Sequence, residues 1–173
     1  EHIVTLDEPV NATPLADVWG CTGERVEFCV TTSGTGPITY QWFRNGSPIA
    51  GAVDNCLVVD PVSAANVGTY AVTVTGKCGS VTRSAVLRLA DVAVTDLPDL
   101  FLCEGQAARW CPVVTGRGPF TWLWEHDGEP IPGADDSCLV LTDVTLEDDG
   151  FYSVTVSGYC GDPVTVSGRL YVG

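Results

Sequence analysis

The residues with the most chemistry to offer in this chain are its eight cysteines. Cys21, Cys29, Cys56 and Cys78 recur 82 positions later as Cys103, Cys111, Cys138 and Cys160, with no insertion between the two sets. Thiols serve as metal ligands, as nucleophiles or as bridges. Structural zinc draws on closely spaced thiolate or imidazole pairs. Here the spacings within each set are 8, 27 and 22, and no CxxC occurs. An even number of cysteines repeated in register reads instead as a disulfide framework, formed in an oxidising compartment. Bridged sulfurs leave no thiolate for catalysis.

Other catalytic constellations find little material. A nucleophilic triad needs a base held against its nucleophile. The two histidines, His2 and His126, stand at the N-terminus and at an expected hairpin tip, and they do not align in the repeat. The paired carboxylates Asp135 and Asp136 fall on an expected exposed loop, where the split pKa values needed for glycoside hydrolysis do not arise. No catalytic residue is assigned, and the chain is expected not to be an enzyme. Calcium, which takes six to eight oxygens, has weak candidates in Asp135, Asp136, Glu147 and Asp149. No D-x-D-x-D-G loop accompanies them, so no cofactor or metal is assigned. Sequons at Asn11-Ala12-Thr13 and Asn45-Gly46-Ser47 make Asn11 and Asn45 candidate glycosylation sites. Asn45 falls on a turn tip. The second half has Asp127 there, so the sequon is not inherent to the repeat.

Net charge is −14 over 173 residues. Nucleic acid is excluded as a partner, because phosphate binding needs a basic face. Residues 1–91 hold nine acids against five bases, a net of −4, and residues 92–173 hold thirteen against three, a net of −10. Such acidity serves solubility and self-repulsion; the sharper alternatives are a cation site or an acidic docking surface. No run of about 18 apolar residues is present to span a membrane. The absence of Met and the start at Glu1 suggest a mature secreted chain with its signal peptide removed.

The elements that must position these residues are short. Val26–Val30, Tyr40–Phe43, Leu57–Val59, Tyr70–Val74 and Ser84–Leu89 alternate apolar and polar residues, and Gly, Pro, Asn and Asp separate them. That pattern predicts half-buried antiparallel strands joined by turns. The second half repeats the turns at Thr115–Pro119, His126–Pro130 and Ser157–Gly161. About seven strands per half predict an all-β, two-sheet sandwich in each.

Trp42 follows a Gly-Pro turn, and Asn66-Val67-Gly68-Thr69-Tyr70 comes later; the second half has Trp124 and then Asp148-Asp149-Gly150-Phe151-Tyr152. These residues resemble the immunoglobulin superfamily, in which a core Trp is followed by a D-x-G-x-Y motif. Gly36 to Ala52 resembles in particular the Ig-like repeats of bacterial secreted and surface proteins. The resemblance covers nearly all of both halves. It implies two tandem Ig-like sandwiches with Trp42, Tyr70, Trp124 and Tyr152 as core signature residues. It is specific for fold and weak for function. Trp19 is the aromatic residue it explains least; Trp122 aligns with Tyr40, on the face of Trp124.

The chain departs from the antibody pattern. Val72 and Val154 stand where one core cysteine would be, and Val30 and Pro112 stand where its partner would be. The inter-sheet disulfide is therefore missing, and Pro112 suggests an irregular stretch. In the resembled fold, the strands carrying Cys29 and Cys56 are neighbours in one sheet, and alternation turns both sulfurs outward. That implies Cys29–Cys56 across the outer surface and, by repeat, Cys111–Cys138. The first and last strands run together, which implies Cys21–Cys78 and Cys103–Cys160. Four cysteines allow three pairings per half.

The expected organisation is an N-terminal strand-like extension at 1–9, a first domain at 10–91 and a second at 92–173. The join near Asp91 lacks a Gly/Ser linker, which suggests a stiff rather than an elbowed connection. Ile3, Val4 and Leu6 resemble the last strand of the first domain. The extension either lengthens the first strand or adds to the sheet edge of another copy, and Ile3, Val4 and Leu6 are then the candidate polymer contacts. The expected partners are other protein chains, foremost copies of itself, with glycan as a further candidate. The expected role is an extracellular structural or adhesive protein, with a glycan- or receptor-binding module of a larger surface protein as the alternative.

Overall fold

The computed structural model of the chain describes residues 6–173. Its contacts divide at Leu89/Ala90 into two units, residues 1–89 and 90–173. Among the described residues, the first unit has nine strands: β1 (Asn11–Ala12), β2 (Val18–Gly20), β3 (Val26–Cys29), β4 (Thr32–Ser33), β5 (Thr39–Arg44), β6 (Ser47–Pro48), β7 (Cys56–Val59), β8 (Gly68–Gly76) and β9 (Gly79–Leu89). The second repeats them as β10 (Ala93–Val94), β11 (Leu100–Leu102), β12 (Ala108–Trp110), β13 (Val114–Thr115), β14 (Thr121–His126), β15 (Glu129–Pro130), β16 (Leu139–Leu141), β17 (Gly150–Ser157) and β18 (Val164–Val172). A 3₁₀ turn, Leu146–Asp148, precedes β17.

Each unit is a sandwich. In the first, β2-β9-β8-β5-β6 form one sheet, and the β3–β7 and β1–β4 pairs make up the remaining strands. In the second, β11-β18-β17-β14-β15 form the corresponding sheet, with the pairs β12–β16 and β10–β13. All neighbours are antiparallel except β2 with β9 and β11 with β18, which run parallel. Alternation decides which residues enter the core. On β3, Val26 and Phe28 are buried while Glu27 and Cys29 are exposed. Trp42 and Trp124 are fully buried, and each donates its indole N–H to a loop carbonyl, Asp54 O and Asp136 O respectively, both at 2.9 Å. Tyr70 stacks on Phe28 at 5.4 Å, and Tyr152 on Trp110 at 4.7 Å. Tyr152 donates its hydroxyl to Asp148 O at 3.0 Å, and Tyr70 does the same to Asn66 O. This closes the corner that leads into the long β8 and β17 strands.

Strand β12 stops at Trp110, before Pro112, which has no N–H for a ladder. Its counterpart β3 runs on to Cys29, and Val30 N donates to Asn55 O at 3.0 Å. Two glycines are demanded by contact. Gly68 (φ 138°) and Gly150 (φ 159°) lie where a Cβ would come within 2.5 Å of Asn45 Oδ1 and of His126 Nε2 respectively. These close approaches let the hairpin residues Asn45 and Asp127 reach the next strand.

Candidate functional site

The sulfurs divide into three groups. Cys29 and Cys56 face each other across the β3–β7 ladder and are bridged, with Cα atoms 4.1 Å apart; Cys111 and Cys138 are bridged likewise at 4.3 Å. Both bonds lie on the outer surface, as alternation implies. The other two expected bridges, Cys21–Cys78 and Cys103–Cys160, do not form. Cys78 and Cys103 are free and exposed, while Cys21 and Cys160 are engaged elsewhere.

The reason is strand direction. The first and last strands do run together, but in parallel. Cys21 follows Gly20, which pairs with Leu89 at the finish of β9; Cys78 sits in the hairpin before the start of β9. Eleven residues of extended strand put about 35 Å between them at ~3.3 Å per residue, whereas a disulfide needs Cα atoms within about 7 Å. In the second unit, Cys103 follows Leu102, the partner of Val172, while Cys160 precedes β18. Each sandwich therefore carries one such cysteine at either end.

The N-terminal candidates are only partly visible. Ile3 and Val4 lie outside the described residues. Leu6 is 86% exposed and belongs to no strand. The following residues hold the first unit: Asp7 pairs with Lys77 at 2.6 Å, Glu8 N donates to Thr35 Oγ1 at 2.7 Å, and Thr35 N donates back to Glu8 O.

The carboxylate candidates do not converge. Asp135 and Asp136 are exposed on the loop before β16, and Glu147 is exposed on the 3₁₀ turn. Asp149 is committed to Arg169 (3.2 Å) and to Val172 N (3.1 Å). The bond from Val172 N, with help from Arg169, holds its pKa below the usual carboxylate value. Asp17 in the first unit is lowered too, by Val86 N and then Arg88. Among the described residues, the groups whose ligand atoms approach one another do not include Asp135, Asp136, Glu147 or Asp149. His126 stacks on Tyr152 at 4.4 Å, with Asp127 at 3.6 Å from Nε2; its neighbours are a ring and a carboxylate rather than a nucleophile. Burial, and then the Asp148, Asp127 and Asp149 charges, push the Tyr152 hydroxyl up to about 12.

Asn45 and Asn11 are both exposed. Each side-chain oxygen is already in use: Asn45 Oδ1 accepts from Thr69 N at 2.9 Å, and Asn11 Oδ1 accepts from Ala12 N and from Arg83. Trp122 is half-buried against the core of its unit, and Trp19 is 38% exposed, with Arg88 over its ring.

An aromatic strip on the second unit escaped the sequence reading. Phe101 (75% exposed) stacks on Tyr171 at 4.6 Å, and Arg169 lies over Tyr171 at 4.8 Å and over Phe151 at 5.0 Å. The signal was present in the alternation. Tyr152 and Leu170 face inward, so Phe151, Arg169 and Tyr171 must face out.

Residues 9–89 match the model of the immunoglobulin I-set domain. The first unit thus matches an immunoglobulin I-set domain, and the second repeats its strand order, so the chain folds as a tandem of Ig-like sandwiches. Among relatives, it is 24% identical over 157 residues to myopalladin of Mus musculus, covering 75% of this chain and 12% of that protein. It is 46% identical over 55 residues to the decoration protein of Escherichia phage T5, covering 31% of this chain and 34% of that one. The chain thus spans only a small part of the first and about a third of the second. Among solved structures, immunoglobulin domains 1–5 of Sidekick-1 superpose with a TM-score of 0.75 at 19% identity, over 96% of this chain and 38% of that one; the fold is shared. These relatives are animal and phage proteins, and the likeness to bacterial secreted repeats gains no support from them.

Proposed function

We propose that the chain is a non-enzymatic extracellular structural or adhesive protein, the repeating part of a filament or surface layer joined by head-to-tail or strand-addition contacts. The observation that carries this reading is the gapless repeat of one Ig-like sandwich at an offset of 82 residues. A duplicated module with bridges on its outer surface is built to persist outside the cell and to present protein-binding faces. The partners are other protein chains, copies of itself first, and an N-glycan would attach at Asn11 or Asn45. Electron microscopy and light scattering in the presence of reductant test the reading. Polymers are expected, and particles of about 18 kDa, the monomer mass, at every concentration contradict it. Deleting residues 1–9 separates the two modes: loss of polymers supports strand addition through Ile3, Val4 and Leu6, and survival leaves end-to-end contact.

A second reading is favoured by one observation, the exposed strip of Phe101, Phe151 and Tyr171. Exposed aromatic rings beside an arginine suit recognition of a glycan or a receptor by a module of a larger surface protein. Glycan-array binding that disappears in Phe101→Ala would support it.

A further inference from the structure

We propose that Cys103 and Cys78 are complementary docking thiols: the hairpin tip carrying Cys78 in a second copy of this chain seats beside Cys103 and is locked there by a disulfide. This rests on the head-to-tail reading above and specifies its contact. The two free thiols are not the same repeat position. Cys103 is the counterpart of Cys21, at the finish of a last strand, and Cys78 is the counterpart of Cys160, at a strand hairpin. Parallel pairing of first and last strands keeps the two kinds at opposite ends of each sandwich, so no single sandwich can join them.

The surroundings fit one another. Cys103 borders an open hollow of about 400 Å³, walled by Phe101, Asp149, Tyr171 and Val172. The exposed Phe101 ring stands in this wall, and Glu104 follows the thiol in sequence. Cys78 is presented on a narrow convex feature, the two-residue turn between the paired Gly76 and Gly79. The residue before it is Lys77, whose side chain is 58% exposed. A ring-walled recess thus meets a small hairpin tip, with a sulfur in each; Asp149 in the recess is paired with Arg169, and Lys77 at the tip with Asp7. Glu104 beside one sulfur and Lys77 beside the other leave an opposite-charge contact that sets the register. Because the two surfaces differ, the contact is heterologous and propagates rather than closing as a two-fold dimer.

The bond needs an oxidant, and a low-molecular-weight disulfide supplies it. The thiolate of one cysteine attacks that disulfide, expelling one small thiol and leaving a mixed disulfide. The second cysteine then attacks the protein sulfur and expels the other small thiol. Two protein thiols lose two electrons and two protons, and one small disulfide becomes two thiols.

The test uses the full chain with Cys78→Ser and Cys103→Ser, both at exposed positions. Under oxidised glutathione, the wild type is expected to give a ladder on non-reducing gels. Each variant alone stays monomeric, and their mixture gives one dimer that grows no further. Its tryptic map contains a Cys78–Cys103 peptide. Lys77→Glu is expected to slow the dimer severalfold at low salt and to change little at high salt. Each variant dimerising alone as readily as the mixture would show unselective thiol oxidation and overturn the proposal. So would a monomeric wild type, or Cys103 recovered in a bridge to a cysteine other than Cys78. Polymers seen in reductant but without the Cys78–Cys103 bond would sink this inference and leave the filament reading standing.

Discussion

The two units solve the same geometric problems with different atoms. At the hairpin before β6, Asn45 takes a positive φ of 48° and its Oδ1 accepts from Thr69 N; 82 residues on, Asp127 has φ 49° and its Oδ1 accepts from Phe151 N. At the corner before the long strand, Asn66 Oδ1 accepts from Ser63 N, and its counterpart Asp148 accepts from Thr145 N. The frame asks for a short side chain with an acceptor oxygen, and at the hairpin for one that tolerates the left-handed region. It does not ask for charge. Part of the second unit's extra acidity is therefore the same hardware with a carboxylate in place of an amide. The outer faces, by contrast, have diverged. Trp19, Arg88 and Asp17 occupy one, and Phe101, Tyr171, Arg169 and Phe151 the other.

The strongest challenge to the equivalence of the two frames is removal of the central tryptophans. Trp42→Ala and Trp124→Ala should each destabilise their own unit by about 3–5 kcal/mol, as a large buried aromatic does, measured by denaturant unfolding. A much smaller loss in one unit would show that its core is built differently. Next is the corner tyrosine. Tyr152→Phe should cost about 1 kcal/mol for the lost hydrogen bond at neutral pH. It should also remove an alkaline limb. The hydroxyl's folded pKa of about 12 lies above the unfolded value of 10.0, so its contribution is complete below pH 10 and disappears as pH rises towards 12. Stability curves of the two proteins should therefore converge in that window.

The hairpin exchange is subtler. Asn45→Asp and Asp127→Asn should each stay within about 0.5 kcal/mol, because the acceptor survives. Asn45→Ala and Asp127→Ala should each lose about 1 kcal/mol. Smallest is the acid response of the outer faces. Asp17 and Asp149 have lowered folded pKa values, so their contribution is present above the unfolded carboxylate value near 3.8 and is lost as pH falls below it. Asp149→Asn should lower stability slightly at neutral pH and flatten the acid side, so that the two curves meet as pH falls below about 3.8. Curves that stay equally far apart below that pH would assign Asp149 a different role.

Much of this frame was legible in the sequence, because a two-residue period and a fixed repeat are local signals. Phe28 in, Cys29 out, Leu57 and Val59 in, Cys56 out: that alternation alone turned the sulfurs outward. The Trp42 and Tyr70 core and the Trp124 and Tyr152 core followed from the resemblance to the immunoglobulin motif. What stayed hidden was relative direction. Nothing local in Val18–Gly20 tells whether that strand runs with or against β9, and the sign of that one pairing moves Cys21 from beside Cys78 to the far end of the sheet. The aromatic strip was hidden for a different reason. Phe101, Phe151 and Tyr171 come from three strands, and only the assembled sheet makes them neighbours. The carboxylates failed in the opposite sense: Glu147 and Asp149 are close in sequence, yet Asp149 is spent on Arg169 and the β18 backbone.

The central claim is that Cys29–Cys56 and Cys111–Cys138 bridge the outer surfaces while Cys78 and Cys103 are left as free thiols. Alkylating the denatured monomer without reduction and mapping its peptides tests this most directly. The account predicts label on Cys78 and Cys103, with Cys29 joined to Cys56 and Cys111 to Cys138. Unlabelled Cys78 and Cys103, recovered in peptides joined to Cys21 and Cys160, would contradict it.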